Sequence, residues 1–447
     1  MKRHLLTSLF ILLVSCKLFA QKSPQLLAAG NTDQSIDQIR NNKAIDADSA
    51  FSLLSGWNKY PSVKNTGIDY IYYYTDSLYG KIPLCVYIPS AYINTHQSPC
   101  VIMLHGAVGL SKFNDIDSLN KFDDDVLFST LKKQDYIIIR PVADKKKGFD
   151  WVVNRFYKNA GNTSNQTYRA LTGVLISLKK VLNIDDNRVF ALGHSDGSDG
   201  TIGFGVYTPN VFAGFVAYNS MLNNVFATDF YIRNIINRPL YLVHSDLDDL
   251  RPIQQTRIIV DGLSKIDNNI LYKEYIGYQH QDEHLNKDIP YAIEFINGQS
   301  RNAFKTNVYW ETDKTDQYNS CDWLKITTQD TTAQPAAWYV PFNFKTYNKN
   351  TKKWEDLPYY YSLKKSMAVK ASYNNNVFNV QTTGVSEIQL FISPVMVNLE
   401  NPVIVIVNNK RVFEGKIKAD KNFLLTNFKD NFDRKVLWVM PLKVKVQ

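Results

Sequence analysis

Apolar positions change texture three times along this chain. They are nearly continuous over residues 5–14 and then intermittent from 23 to about 60, where Ala28, Ile36, Ile39, Ile45, Phe51 and Leu53 punctuate a polar background and predict a short helical lead-in. Residues 70–74 and 82–88 alternate on either side of Tyr79-Gly80, the pattern of a two-stranded hairpin. Residues 101–104 are a short unbroken apolar run, and 136–139, 189–192, 212–218, 240–243 and 270–276 repeat it. Runs so short and so apolar predict strands buried on both faces. Helical spacing fills 168–182, 201–206 and 254–266 between them. Strand and helix in alternation predict an α/β domain: a mostly parallel sheet with helices on both faces and the hairpin as its antiparallel edge.

Beyond about residue 302 the helical spacing disappears. Strand-like runs at 306–310, 337–342, 344–347, 366–373, 377–382, 387–392, 403–407 and 435–440 are separated by turn residues. Asn408-Asn409, between 403–407 and 410–413, predicts a tight hairpin. This texture predicts a separate all-β, sandwich-like domain, and no repeat of fixed period accompanies it. The expected partition is residues 1–20 as an export signal, 21–66 as the helical lead-in, 67–302 as the α/β domain and 303–447 as the β-rich domain. Two cores suit a chain of 447 residues.

The front end carries the marks of an export signal. Lys2 and Arg3 precede the apolar run, and Ala20-Gln21 follows it as a small-residue exit. The run is too short to span a bilayer, and no later stretch reaches roughly 18 apolar residues, so no transmembrane segment is expected. Two processing routes fit: simple cleavage after Ala20, or lipidation at Cys16, since Leu13-Val14-Ser15-Cys16 resembles a bacterial lipobox. Both imply an exported protein, periplasmic or extracellular, or anchored to the outer membrane by lipid. Cleavage after Ala20 removes Lys2, Arg3 and Lys17 and no acid, which takes the net charge from +9 to +6. Lys145-Lys146-Lys147 is the one compact basic run and reads as a solvated loop; nothing here argues for nucleic-acid binding. Cys85, Cys100 and Cys321 would remain in the mature chain, too few for a disulfide framework and most simply read as buried packing, with a single bridge unforced. Aromatic residues reach 13%, in keeping with a β-rich chain.

The strongest chemical signal is Gly193-His194-Ser195-Asp196-Gly197, a G-x-S-x-G motif. Such a serine sits on a sharp turn from strand to helix with its hydroxyl exposed, and small neighbours let the turn pack closely. The motif alone is common by chance. Here the apolar run 189–192 precedes it, and Gly200, Gly203 and Gly205 mark a small-residue helix after it. That context predicts Ser195 as a nucleophile.

A serine hydroxyl needs a base, usually a histidine steered by a carboxylate. With this motif the chain order is serine, acid, histidine. Of seven histidines, only His280 and His284 come late enough, both just past the strand 270–276; His280, a few residues after Gly277, is favoured. The acid belongs just after the strand 240–243, where Asp246, Asp248 and Asp249 are candidates. Asp248 is favoured for its spacing to Pro252, and helix capping is the expected role of the other two. The oxyanion requires N–H donors. Leu104-His105-Gly106-Ala107 follows an early buried strand, so the backbone N–H groups of Ala107 and Asp196 are the expected donors, with His105 shaping the loop. Only about twenty residues separate the strand ending near Tyr218 from the one at Leu240, which leaves no room for a large lid. Phe149, Trp151 and Phe156 could stack on sugar or aryl groups or pack the loop against the core.

Four segments together carry a family resemblance: Leu104-His105-Gly106, residues 183–190, Gly193–Gly197, and Asn210-Val211-Phe212-Ala213-Gly214. They resemble secreted bacterial α/β-hydrolases of the esterase and polyhydroxybutyrate-depolymerase-like group, over about residues 67–300. The β-rich remainder, with Trp323, 397–403 and Asn408-Asn409, is similar to an appendage of some such hydrolases. Ala107-Val108 stands where many members have glycines, which alters loop shape but not the N–H. The resemblance implies an α/β-hydrolase fold and a secreted carboxylic-ester hydrolase using Ser195, His280 and Asp248, with no metal or organic cofactor and an ester substrate, polymer- or sugar-linked esters included. Two other readings are a serine peptidase of the prolyl-oligopeptidase type, against which stands the lack of sequence for a propeller, and a non-catalytic surface binding protein.

Overall fold

A computed structural model describes residues 32–114, 116, 126–152, 166–220, 231–266, 269–281, 283–339, 344–348, 351, 353–357 and 366–446. The predicted export signal, Cys16 included, lies outside them. Eight strands make one sheet: β1 (Ile68–Asp76), β2 (Gly80–Ile88), β3 (Ser98–Leu104), β4 (Ile137–Pro141), β5 (Ile184–His194), β6 (Gly214–Tyr218), β7 (Leu240–Ser245) and β8 (Ile270–Tyr275). Their order is β1-β2-β4-β3-β5-β6-β7-β8. β1, β2 and β4 pair antiparallel, and from β4 to β8 every pairing is parallel. Each predicted run is a strand of this sheet, and the hairpin at Tyr79-Gly80 is one edge; β8 forms the other edge and is only half-buried rather than buried on both faces as the run 270–276 predicted.

The alternation of side chains along each strand divides the core in two. Ile102, Leu104, Ala191 and Leu242 face one side, against Tyr168, Leu171, Leu175, Ile202 and Ile259 of α4 (Thr167–Lys179), α5 (Asp196–Tyr207) and α6 (Ile253–Ser264). Val101, Met103, Ile138 and Phe190 face the other, against Leu127 and Phe128 of α3 (Val126–Leu131) and Ile289, Ala292 and Ile296 of α7 (His284–Gly298). Helices therefore cover both faces, and the fold is that of an α/β-hydrolase.

The C-terminal region is β-rich. A five-stranded sheet, ordered β18-β17-β15-β14-β9, contains β9 (Asn307–Thr312), β14 (Met367–Asn374), β15 (Val377–Thr383), β17 (Val403–Val407) and β18 (Lys410–Gly415). A four-stranded sheet, ordered β10-β11-β16-β19, contains β10 (Ser320–Cys321), β11 (Leu324–Gln329), β16 (Val385–Ile392) and β19 (Met440–Lys445). β12 (Phe344–Asn348) and β13 (Lys353–Leu357) form a separate hairpin. One core built from both larger sheets, with Trp310, Trp323, Val369, Phe378, Ile388 and Val405 in it, makes the sandwich. Asn408 and Asn409 both have positive φ, 49° and 67°, as the hairpin between β17 and β18 requires; Asn375 and Asn376 do the same between β14 and β15.

Several sequence expectations are corrected here. The final strand is β19 rather than 435–440, and residues 337–339 form no strand, while 340–342 lie outside the described residues. The β-rich region also contains a helix, α8 (Lys421–Asn431), whose N-cap Asp420 accepts hydrogen bonds from the N–H groups of Asn422 and Phe423. Its apolar residues Leu424, Leu425 and Phe428 pack with Ile36 of α1 (Thr32–Asn41), with Ala50 and Leu54 of α2 (Ala47–Ser55), and with Trp57. The helical lead-in thus finds its partner at the other end of the chain, a pairing no local pattern announces. Cys85, Cys100 and Cys321 are buried and unbridged. Among the described residues no helix is long and apolar enough to cross a membrane.

Buried ion pairs join the two regions. Arg238, preceding β7, and Asp322, between β10 and β11, are paired through both guanidinium nitrogens, one contact being 3.0 Å. Arg434 binds Asp186 of β5 at 2.6 Å, and Asp186 also meets Lys179. Removing one partner of such a pair strands the other charge away from water. The substitution Asp322→Asn is therefore expected to lower unfolding free energy by about 3 kcal/mol. Denaturant titration checks this, and a loss below about 1 kcal/mol would show that the pair contributes little beyond packing.

Candidate active site

β5 delivers its last residues to the C-terminal edge of the sheet, and the chain reverses there into α5. Ser195 occupies the turn with φ 58° and ψ −126°, a strained conformation for a residue with a side chain. The flanking glycines follow from contact distances. A Cβ at Gly193 would lie 2.3 Å from the Gly197 carbonyl carbon, and one at Gly197 would lie 2.0 Å from Leu104 O. Any larger residue would push the turn off its neighbouring strand. The Ser195 N–H is held by Tyr218 O at 3.0 Å. Trp151 packs beneath α5 against Gly200, fully buried, and donates its Nε1–H to His105 O at 3.1 Å. It and the buried Phe149 are core residues rather than stacking platforms; Phe156 lies outside the described residues.

Three side chains converge in a line. His280 Nε2 stands 2.9 Å from Ser195 Oγ, and His280 Nδ1 stands 2.7 Å from Asp248 Oδ2. The Asp248 carboxylate also accepts from Asn219 Nδ2 at 2.7 Å and from the N–H groups of Leu250 and Arg251 at 3.1 and 2.8 Å. Burial works to raise the pKa of this carboxyl. Hydrogen bonds from His244, His280, Asn219 and the Arg251 N–H outweigh burial and hold it far below the usual carboxylate range. Asp248 is therefore held in its ionised form.

The rivals lie elsewhere. His284 is buried at the start of α7, with Nε2 3.0 Å from Asn219 Oδ1, the amide whose Nδ2 meets Asp248. Asp246 accepts the Gly277 N–H at 2.6 Å, and Asp249 is exposed. Neither caps a helix: α6 begins after Pro252 with no side-chain cap, which corrects the expectation for these two residues. Asn219 (φ 51°), His244 and Arg251 are the site's unforeseen members. Arg251 was visible three residues past Asp248, but an arginine in a polar loop gives no sign of partners more than fifty residues away.

The loop after β3 faces the serine. Ala107 is left-handed, with φ 49° and ψ 46°. His105 Nδ1 lies 2.7 Å from Gly106 O and its Nε2 accepts the Ala143 N–H at 3.1 Å, so the ring is neutral with its proton on Nδ1. Burial pushes its pKa down, consistent with that tautomer. The Val108 N–H is bound by Asp196 Oδ2 at 3.0 Å. The Asp196 N–H opens α5, where the first turn has no helical acceptors. A cavity of about 560 Å³ lies beside these groups, lined by Met103, Leu127, Phe128 and Val142 as well as Ser195 and His280. Leu110 and Leu250 stand exposed at it. Residues 221–230, where sequence length argues against a large lid, lie outside the described residues.

His194 is buried beside the serine, with its Nε2–H directed at His280 O, 2.8 Å away. Burial, and then the neighbouring His280, push its pKa down to about 3. The folded state thus keeps this ring neutral, while the unfolded chain takes up a proton near pH 6.5. Stability from this residue is complete above pH 6.5 and declines as pH falls toward 3, by about 1.4 kcal/mol per unit through the middle of that window. Denaturation midpoints measured between pH 7 and 4 should fall accordingly. Substitution by glutamine, which keeps an N–H donor and cannot titrate, should flatten the slope; an unchanged slope would remove His194 as its cause.

No protein-family model matches the chain, and no curated protein matches it significantly in sequence. Solved structures do match. A thermostable esterase aligns at 21% identity and TM-score 0.41, over 52% of this chain and 63% of its own, so just under two thirds of that protein is spanned. An S-formylglutathione hydrolase from Staphylococcus aureus aligns at 17% and 0.37, over 51% of this chain and 98% of its own. A poly(3-hydroxybutyrate) depolymerase from Bordetella parapertussis aligns at 16% and 0.41, over 57% and 96%. The chain has the α/β-hydrolase fold, and its structural neighbours are esterases, S-formylglutathione hydrolases and a poly(3-hydroxybutyrate) depolymerase.

Proposed function

We propose that this protein is an exported serine hydrolase that cleaves carboxylic esters through Ser195, His280 and Asp248. The observation that carries the reading is the continuous contact from Ser195 Oγ to His280 to Asp248, at 2.9 and 2.7 Å, on a strained turn beside a cavity. His280 Nε2 takes the Ser195 proton as Oγ attacks the acyl carbon, and the Ala107 and Asp196 N–H groups receive the oxyanion. The leaving alcohol takes the proton back from His280, and an acyl-enzyme remains. Water, deprotonated by the same ring, then releases the acid and regenerates Ser195. Asp248 stays ionised, fixes the His280 tautomer and stabilises the imidazolium. The apolar lining by Met103, Leu127 and Phe128 suits an acyl or alkyl group.

The test assays short acyl esters and peptide amides in parallel on the purified protein, with fluorophosphonate labelling of wild type and Ser195→Ala. Ester turnover and labelling of wild type alone are expected. Peptide cleavage with poor ester turnover would transfer the same three residues to a peptidase, and an unlabelled wild type would end the catalytic reading. Export, with cleavage after Ala20 or lipidation at Cys16, is part of the proposal; the N-terminal residue and mass of the mature protein decide between the two.

A further inference from the structure

Arg251 reaches beneath the serine turn in a way the triad alone does not require. Its Nη1 lies 2.8 Å from Ser195 O, 2.9 Å from Asp199 Oδ1 and 3.2 Å from Asn219 O, and its Nη2 lies 2.6 Å from Asp196 Oδ1. Its own N–H binds Asp248. The Ser195 carbonyl belongs to the same peptide unit as the Asp196 N–H. In a trans peptide the two point in opposite directions, so a cation gripping the carbonyl from behind aims and polarises the N–H in front.

The other donor is held in the same manner. Gly106 O shares its peptide unit with the Ala107 N–H and receives the His105 Nδ1–H. On the far side of Ala107, the Val108 N–H is tied to Asp196 Oδ2, while Arg251 holds the other oxygen of that carboxylate. Both peptide units flanking Ala107 are thus pinned, which maintains its left-handed backbone. One guanidinium connects the acid loop, the serine turn and the loop opposite.

We propose that Arg251, acting through Ser195 O and the Asp196 carboxylate, is the positioning residue that polarises the Asp196 amide and fixes the loop carrying the Ala107 amide. It does not touch substrate. The proposal rests on the ester-hydrolase reading above. The side chain of Asp196 has a role separate from its backbone: it fastens the Ala107 loop to Arg251.

The test measures kcat, KM and affinity for an alkyl trifluoromethyl ketone, whose serine adduct places an oxyanion between the two amides. The variants are Asp196→Ala, Arg251→Lys and Arg251→Met, with thermal unfolding as a folding control. Asp196→Ala keeps the backbone N–H and removes the tether. It is expected to lower kcat about 10- to 100-fold, less than removing a donor outright, with KM within about twofold. Ketone affinity should fall by a similar factor. Arg251→Lys keeps the charge and loses the fork, and should fall between wild type and Arg251→Met. Should Arg251→Met fail to fold, the other two variants carry the test. Wild-type kcat in Asp196→Ala, or a kcat loss with unchanged ketone affinity, would overturn the proposal while leaving the hydrolase reading intact. Absence of labelling in the wild type would instead fell that reading.

Discussion

Ser195→Ala is expected to lower kcat by about 10⁴- to 10⁶-fold, to abolish fluorophosphonate labelling and to leave the fold unchanged. The size of the effect follows from what the hydroxyl does. Without Oγ no acyl-enzyme forms, and His280 and Asp248 retain nothing to activate except water that the site does not position. What residual turnover persists comes from binding and from the two amides. The same position carries a second, opposite expectation. Ser195 sits at φ 58° and ψ −126°, a conformation costing on the order of 1–3 kcal/mol for a residue with a Cβ. Glycine adopts it freely. Ser195→Gly should therefore be inactive and yet unfold at higher denaturant concentration than Ser195→Ala. Should Ser195→Gly be no more stable, the turn is not strained and the geometry of the elbow needs another account. Activity and stability measured on the two variants separate the chemistry of the hydroxyl from the cost of holding it.

Much of the α/β half was legible in the sequence because its signals are local. The inner parallel strands β3 to β7 are largely buried on both faces and so write themselves as short apolar runs, and the serine turn writes itself through glycines that contact distances require. Order along the chain narrowed the base to His280 and His284, and the place of His280 just after Gly277 favoured it. Asp248 could not be separated firmly from Asp246 and Asp249 by spacing; what distinguishes them is which carboxylate is met by Asn219, His280 and two backbone N–H groups, and that convergence is three-dimensional. Arg251 and Asn219 were hidden for the same reason. In the β-rich half the strands 403–407 and 410–413 were plain from Asn408-Asn409, the second running on to Gly415, whereas β19 was displaced by several residues and α8 was passed over. The pattern 421–431 has its apolar partners in α1, α2 and Trp57, nearly four hundred residues earlier, and no window of sequence contains both.

Asp248→Asn is expected to cost about 10⁴-fold in kcat with little change in KM. The carboxylate does three things at once. It accepts from His280 Nδ1, so that Nε2 faces Ser195 Oγ as a base; it accepts from Asn219 Nδ2; and through its other oxygen it accepts the N–H groups of Leu250 and Arg251. An asparagine has one acceptor oxygen and one NH₂ in their place. If the oxygen stays on the Leu250 and Arg251 amides, the NH₂ confronts Asn219 Nδ2 and His280 Nδ1. The imidazole must then carry its proton on Nε2, pointing at the serine hydroxyl, and cannot act as a base. Asn219 cannot turn to relieve the conflict without releasing His284 Nε2 from its Oδ1 and Ser245 Oγ from its Nδ2. A negative charge that stabilises the imidazolium in the transition state is lost as well. Because hydrogen bonds hold the Asp248 carboxyl well below the usual carboxylate range, the wild-type rate should show no inflection from this residue near pH 4. At high pH the variant should regain part of its rate, as hydroxide replaces the missing base. A variant retaining more than about a tenth of wild-type kcat would exclude Asp248 as the residue that orients His280, and Asp248→Ala measured beside it tells the effect of the imposed wrong tautomer from loss of the charge.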